Sequence, residues 1–176
     1  SFNNGTGTLI CKEVREMENI VVSGATVSKN DAKITIIGVS DEPGQAANIF
    51  HELAKEKINV DMIIQNVSAH GLTDLTFTVD KGDLALALET TKRTKGEIKA
   101  KEIIADDKIA KLSVVGIGMR SHCGIAEKMF KTLSDEKINI QMISTSEIKI
   151  SCVIEKEQAE KALNAVHKAF ALDKEQ

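Results

Sequence analysis

The chain lacks the features that would point to several common partners. It has 176 residues with no tryptophan, no tyrosine and five phenylalanines, too few rings for a base-stacking surface. Its Lys and Arg residues form no stripe, and the net charge is −3. Its apolar runs fall far short of the ~20 residues of a membrane-spanning helix, and no signal peptide is visible. We therefore expect neither nucleic acid nor a membrane as a partner, and a cytoplasmic location.

Cysteine is also sparse. Cys11, Cys123 and Cys152 are odd in number and widely spaced, which fits reduced thiols in a cytosolic protein better than a disulfide framework. No Cys or His pair has the spacing of metal ligands, and the adjacent His122 and Cys123 are interpreted as ordinary loop residues. We expect no metal site.

Patterns typical of catalysis are missing as well. There is no Ser/His/Asp order, no carboxylate pair and no phosphate-binding GxxxxGK[ST] segment. His51, His70 and His167 are interpreted as structural or solvent-facing side chains. The chain begins with Ser1 rather than Met, so we expect it to be part of a longer protein.

What the chain does contain is an internal repeat. Residues 41–63 align with residues 121–143 at an offset of 80, and 10 of the 23 paired positions are identical, among them Asn59 and Asn139. A repeat of this length predicts two copies of one small domain. Units of roughly 75–80 residues bury only about 60% of their unfolded surface, so packing on each other or on a second chain would stabilise them.

The first unit is predicted to have the order β-α-β-β-α-β. Residues 72–79 alternate so regularly that they indicate a half-buried strand. Pro43 is the only proline and precedes an apolar stripe with helical spacing. The predicted strands are 33–38, 60–64, 72–79 and 98–104, the helices are 46–54 and 83–92, and residues 68–71 form a hairpin connection.

The second unit repeats this order but ends without a fourth strand. Its predicted strands are 111–116, 140–144 and 147–154, and its helices are 124–135 and 157–171. An open sheet edge is an aggregation liability, and the β-rich segment from Ile20 to Val27 belongs to neither unit. We therefore predict that this segment completes the second sheet, so that the first unit is inserted into the second. The alternative is a lead-in segment without regular structure.

In each unit a polar, glycine-containing loop leads from the first strand into a helix. The free N–H groups of the first helical turn can hold a carboxylate, and Asp41 beside Gly44 could meet an ammonium group. The second loop has Met119, Ser121 and His122 before Gly124 and no acidic residue, so the two sites would differ chemically. Helix capping alone is the competing explanation for both loops.

Polar residues at equivalent strand ends favour a ligand site. Asn59 and Asn139 recur between helix and strand, and residues 65–68 and 144–147 place polar groups at corresponding positions. Such convergence is what a small polar ligand requires.

These residues resemble a known family. The order of elements is similar to that of the ACT domain, a small-molecule-sensing module. The segments 38–47, 58–68, 116–122 and 143–151 closely resemble the tandem ACT regulatory region of aspartate kinase, or its beta subunit, in family order. The resemblance implies an α+β, ferredoxin-like fold of two ACT domains, the first (30–107) inserted into the second (19–29 plus 108–172), with residues 1–18 as the linker from the kinase domain.

The resemblance also implies a function. Threonine and/or lysine would bind where ACT domains pair in a homodimer, giving feedback inhibition of aspartate-family amino-acid biosynthesis. The partner would be the kinase catalytic domain or alpha subunit. ATP and magnesium would belong to that domain, so no cofactor is expected in this chain, which should be inactive alone. The alternative is a structural dimerisation module without a working effector site.

Two sets of effector contacts carry over from the family. The first site would use Asp41, Pro43, Gly44, Gln45, Ala46 and Gln65, with Asn139 and Ile140 from the paired unit. The second would use Met119, Ser121, His122, Gly124, Ile125, Asn59, Val60, Asp61, Ser146 and Glu147. Cys123 stands where the family often has proline, so the start of the second helix is expected to be less rigid.

Overall fold

The computed structural model describes residues 22–67, 70–117 and 123–172. They form two four-stranded antiparallel sheets, each packed against two helices. The elements, in chain order, are β1 Gly24–Ser28, β2 Asp31–Ser40, α1 Gln45–Lys55, β3 Val60–Val67, β4 Leu72–Asp80, α2 Leu84–Thr94, β5 Glu102–Asp106, β6 Ile109–Val115, α3 Ile125–Asp135, β7 Met142–Thr145, β8 Lys149–Glu155 and α4 Ala159–Ala169.

The strand order shows how the two units share the chain. The first sheet has the order β3-β4-β2-β5, and the second has the order β1-β6-β8-β7. β1 pairs antiparallel with β6, from Gly24 opposite Val115 to Ser28 opposite Lys111. This pairing confirms the prediction that a strand from the N-terminal segment completes the second sheet. The observed strand begins at Gly24, and residues 20–21 of the predicted strand lie outside the described residues.

Each unit has its own core between sheet and helices. In the first unit the alternating residues of β4 put Phe77 against Leu53 of α1, and both are almost fully buried. In the second unit Met129 of α3 and Val166 of α4 cover Leu112 of β6, and all three are fully buried. The period-2 and period-3.6 apolar patterns therefore mark the faces that pack together.

The strand predicted from Ile98 to Ile104 is wrong in its first half. The chain leaves α2 through a turn in which the Ile98 N–H donates to the Thr94 carbonyl at 3.1 Å and Lys99 has φ 54°. Ile98 is fully buried, so its apolar character reflects packing beneath the end of α2 rather than a place in the sheet. β5 begins only at Glu102.

The two units also contact each other. Met62 of β3 and Met142 of β7, which occupy equivalent positions in the repeat, are buried together with Ile109 and Val153. The connections from β1 to β2 and from β5 to β6 are each two residues long, which keeps the two sheets close. No helix within the described ranges is long and apolar enough to cross a membrane.

Candidate functional site

The end of β2 is reshaped beside the first loop. Gly38 has φ 69°, and the register of β2 against β4 shifts between Ile36 and Val39. The Gly38 N–H donates to Asp74 Oδ1 at 2.8 Å, which holds this bulge in place. Bulges bend a strand and change the direction of the residues that follow, so this one sets the direction in which the chain leaves β2 for the loop at residues 41–44.

The loop ends at a helix whose first turn has no side-chain cap. Gly44 precedes α1 with φ 100° and makes no side-chain cap, and the Gln45 N–H of the first turn donates to the Glu42 carbonyl at 3.4 Å. Gly124 stands in the same place before α3, with φ 91° and again no side-chain cap among the described residues. The positive end of the α1 dipole therefore adjoins the first loop, where an anion would be favoured.

A cavity of about 400 Å³ lies at this end of α1. Its wall includes six of the predicted effector contacts: Asp41, Pro43, Gly44, Gln45, Ala46 and Gln65. The prediction missed Ser40, Glu42 and Thr73, which also line it. Thr73 pairs with Val39 on one side and Val67 on the other, so only the strand register brings it to the cavity.

The cavity offers acceptors for a positive group. The carboxylates of Asp41 and Glu42 are exposed among its lining residues, and Glu42 Oε2 already lies 3.6 Å from Lys99 Nζ and accepts from Gln45 Nε2 at 3.4 Å. Gln45 Oε1 is buried and accepts no hydrogen bond among the described residues. Buried polar atoms usually have a hydrogen-bond partner, and a ligand in the cavity could supply one. Together with the helix terminus, these groups can hold a small zwitterion by both of its charges.

The other two predicted contacts of this site lie elsewhere in the chain. Asn139 and Ile140 line a separate cavity of about 420 Å³ with Phe130, Ser134 and Lys137. The two cavities have no residue in common. The structure therefore brings together six of the eight predicted residues and leaves the remaining pair at a second location.

The second predicted site is only partly described. Met119, Ser121 and His122 lie outside the described residues. Ile125 is buried at the start of α3, Asn59 is exposed, and Val60 begins β3. Ser146 and Glu147 are exposed in the connection that begins directly after the end of β7.

Asp61, assigned to the second site from the sequence, is bound within the chain. Its Oδ2 accepts a hydrogen bond from Lys111 Nζ at 2.5 Å, and the same Nζ lies 3.0 Å from Asp31 Oδ1. Burial opposes the charge on Lys111, but hydrogen bonds to Asp61 and Asp31 outweigh it and raise the Lys111 pKa. Lys111 therefore stays charged, and it forms ion pairs with both Asp61 and Asp31.

Two of the other reactive side chains in the described part of the chain, His51 and Cys152, give no sign of catalytic chemistry. His51 is exposed on α1, as predicted. Burial raises the pKa of the Cys152 thiol to about 12, which makes it unreactive. Within the described ranges no group of three or more His, Cys, Asp or Glu side chains could hold a metal ion.

Comparison with known proteins identifies the family. The ACT domain model matches residues 34–94 and 112–170. The regulatory subunit of aspartate kinase from Thermus thermophilus, solved in a ligand-free form, is 43% identical with a TM-score of 0.81, and the match covers 85% of this chain and 99% of that one. The chain belongs to the ACT-domain regulatory regions of aspartate kinases. A chain in the structure of aspartokinase alpha and beta subunits is 48% identical with a TM-score of 0.81, covering 86% of this chain and 99% of its own.

Full-length relatives are longer than this regulatory region. The aspartokinase of Pseudomonas aeruginosa is 50% identical over 175 residues, which is 98% of this chain but 42% of that protein. The ACT region thus spans less than half the length of the curated relatives it matches.

Proposed function

We propose that this ACT region binds an amino-acid effector, threonine and/or lysine, and thereby mediates feedback inhibition of an aspartate kinase. The observation that carries the proposal is the cavity at the start of α1, which is lined by Asp41 together with the glycine cap and the first residues of the helix. An α-carboxylate would bind the helix terminus, and an α-ammonium would bind Asp41.

The complete site requires two copies of the chain. The Asp41 loop and the Asn139 segment line different cavities, so a second copy is needed to bring them together. The edge strands support such pairing, because Ile63 of β3 and Ile143 of β7 are 52% and 41% exposed at equivalent repeat positions. We propose a homodimer in which each effector site is formed by the Asp41 loop of one protomer and the Asn139 segment of its partner.

The proposed partner is an aspartate kinase catalytic domain or alpha subunit, which would supply the ATP and magnesium chemistry. A role in amino-acid biosynthesis would place the protein in the cytoplasm. An effector that prefers the inhibited assembly by about 100-fold shifts the equilibrium by about 2.7 kcal/mol, which is within the usual range of allosteric coupling.

The second site is the weaker candidate for an effector. Its only acidic contact near the strand start, Asp61, is already bound to Lys111. We propose that the Asp41 site is the main one, and that any effector at the Gly124 loop is held without help from Asp61.

Calorimetric titration with threonine and with lysine tests the function. We expect Asp41→Asn to weaken effector binding by about 10- to 100-fold, because a hydrogen bond to a charged group contributes about 1.5–3 kcal/mol. Asp135→Asn removes an exposed carboxylate at the far end of α3 and is the matched control, with unchanged affinity expected.

Two outcomes would count against the proposal. Dimerisation without heat or a thermal shift from either amino acid would favour the alternative, a structural dimerisation module. Wild-type affinity in Asp41→Asn would reject Asp41 as the ammonium contact while leaving effector binding itself in place.

A further inference from the structure

Two lysines bridge the units at equivalent positions of the repeat. Lys33 of β2 donates to Gln141 Oε1 at 2.5 Å, and Lys111 of β6 donates to Asp61 Oδ2 at 2.5 Å. Lys33 and Lys111 begin the similar strand segments 33–38 and 111–116, which are 78 residues apart. Asp61 and Gln141 are 80 residues apart, which is the offset of the aligned residues 41–63 and 121–143. The same cross-unit contact therefore occurs twice, once with a neutral acceptor and once with an acidic one.

The Lys33 bridge joins the strand that leads into the Asp41 loop to the segment that follows Asn139; Lys33 lies near the start of that strand, eight residues before Asp41. Lys33 lies on β2, which leads directly into the Asp41 loop. Gln141 comes immediately after Asn139 and Ile140, which line the other cavity. In the proposed dimer, the Asp41 loop of a protomer belongs to one effector site and the Asn139 segment of the same protomer belongs to the other. The bridge between Lys33 and Gln141 therefore connects the two effector sites within one protomer.

The surroundings of the bridge restrict its movement. The Lys33 side chain is 18% exposed and also lies 3.5 Å from Asp106 Oδ2 on the neighbouring strand. The Gln141 N–H donates to the Val153 carbonyl at 2.8 Å, and the next residue, Met142, is buried between the units. A shift of Asn139 toward a ligand would therefore displace Gln141 and, through the hydrogen bond, Lys33 on β2.

We propose that Lys33 is a positioning residue that, through Gln141, makes effector binding at the two copies of the Asp41 site cooperative. The inference rests on the proposed function, since it concerns the same site. An effector that orders the Asn139 segment of one site also fixes Gln141 and Lys33, and so places the Asp41 loop of the other site. The second effector molecule then binds a loop that is already in position.

The test is a titration of the whole 176-residue protein with threonine and lysine, reading the Hill coefficient and the number of sites. We expect positive cooperativity in the wild type, with the second site binding about tenfold more tightly than the first. Gln141→Leu removes the acceptor without leaving a charge unpaired, and it should bring the Hill coefficient close to 1 with the number of sites unchanged.

Two further variants separate positioning from a general structural effect. Gln141→Glu keeps an acceptor for Lys33, as Asp61 does for Lys111, and should retain cooperativity. In a double-mutant cycle, adding Gln141→Leu to Lys33→Met should cause no further loss of cooperativity, because the contact between Lys33 and Gln141 is already absent. Thermal unfolding of each variant shows that the fold is kept.

The outcomes distinguish this inference from the proposed function. Binding with a Hill coefficient of 1 in the wild type, or full cooperativity in Gln141→Leu, would overturn the role of Lys33 while leaving effector binding intact. No binding of either amino acid to the wild type would overturn both.

Discussion

Cys152 shows how one buried side chain makes stability depend on pH. It is fully buried on β8 among Leu112, Met129 and other core residues, and burial raises its pKa from 9.0 to about 12. The unfolded thiol therefore ionises in mildly alkaline solution, whereas the folded thiol does not.

We expect the free energy of unfolding to fall as the pH rises from about 9 towards 12. In this window the unfolded state binds fewer protons than the folded state, and one such group contributes a slope of at most about 1.4 kcal/mol per pH unit. Urea unfolding at several pH values measures the slope. Cys152→Ala should be less stable at neutral pH but should lose less stability at alkaline pH; equal slopes would contradict the assignment.

The repeated Glu-Lys-Ile-Asn segments have a structural cause at the ends of α1 and α3. Lys57 and Lys137 have φ 59° and 57°, in the left-handed region. In α1 the Ile58 N–H donates to the Leu53 carbonyl, and in α3 the Ile138 N–H donates to the Leu133 carbonyl. This is the Schellman arrangement, in which glycine is the usual residue at the left-handed position. The identity of these segments therefore follows partly from the helix ends, and only the exposed Asn59 and Asn139 are left for binding.

Lys57→Gly should stabilise the protein. A left-handed residue with a Cβ is strained by about 1–2 kcal/mol, and part of that gain is lost because glycine makes the unfolded chain more flexible. We expect a net increase of about 0.5–1 kcal/mol in the free energy of unfolding, measured by urea titration.

Lys57→Ala is the matched control, because it removes the charge but keeps the Cβ. Its stability should remain near that of the wild type. A stabilised alanine variant would show that charge rather than backbone strain explains the effect.

The first ACT domain is inserted into the second, between β1 and β6. β1 supplies the fourth strand of the second domain's sheet. Val22, Ala25 and Val27 from the N-terminal side contribute to the core of the second unit. The pairing of β1 with β6 ends at Ser28 opposite Lys111, and the residues next to this last pair are Lys29 and Ala110. The second unit can therefore be closed into one continuous chain by a short hairpin.

We expect a polypeptide of residues 22–29, an Asn-Gly turn and residues 110–172 to unfold cooperatively, because the turn suits a two-residue hairpin between β1 and β6. Residues 108–172 alone lack β1 and leave the β6 edge open, so they should aggregate or stay unfolded. Circular dichroism melts and sedimentation of both polypeptides check this expectation. A stable monomer of residues 108–172 would contradict it.

The order of the secondary-structure elements follows from local sequence patterns alone. The alternation of residues 72–79, the helical apolar stripes and the repeat predicted the elements, and the unpaired edge predicted the role of β1. These features could be predicted because periodicity and edge pairing depend on neighbouring residues and on the hydrogen-bonding needs of one sheet. The resemblance to aspartate kinases predicted six of the residues that line the Asp41 cavity.

Contacts that depend on how the two units pack against each other become visible only in the folded chain. The tertiary structure buried Ile98 under α2 instead of placing it in a strand, bound Asp61 to Lys111, and separated Asn139 from the Asp41 loop. It also paired Lys33 with Gln141, although they are 108 residues apart in the chain. No local pattern encodes such contacts, because the position of each lysine relative to its acceptor is set by how two sheets pack face to face.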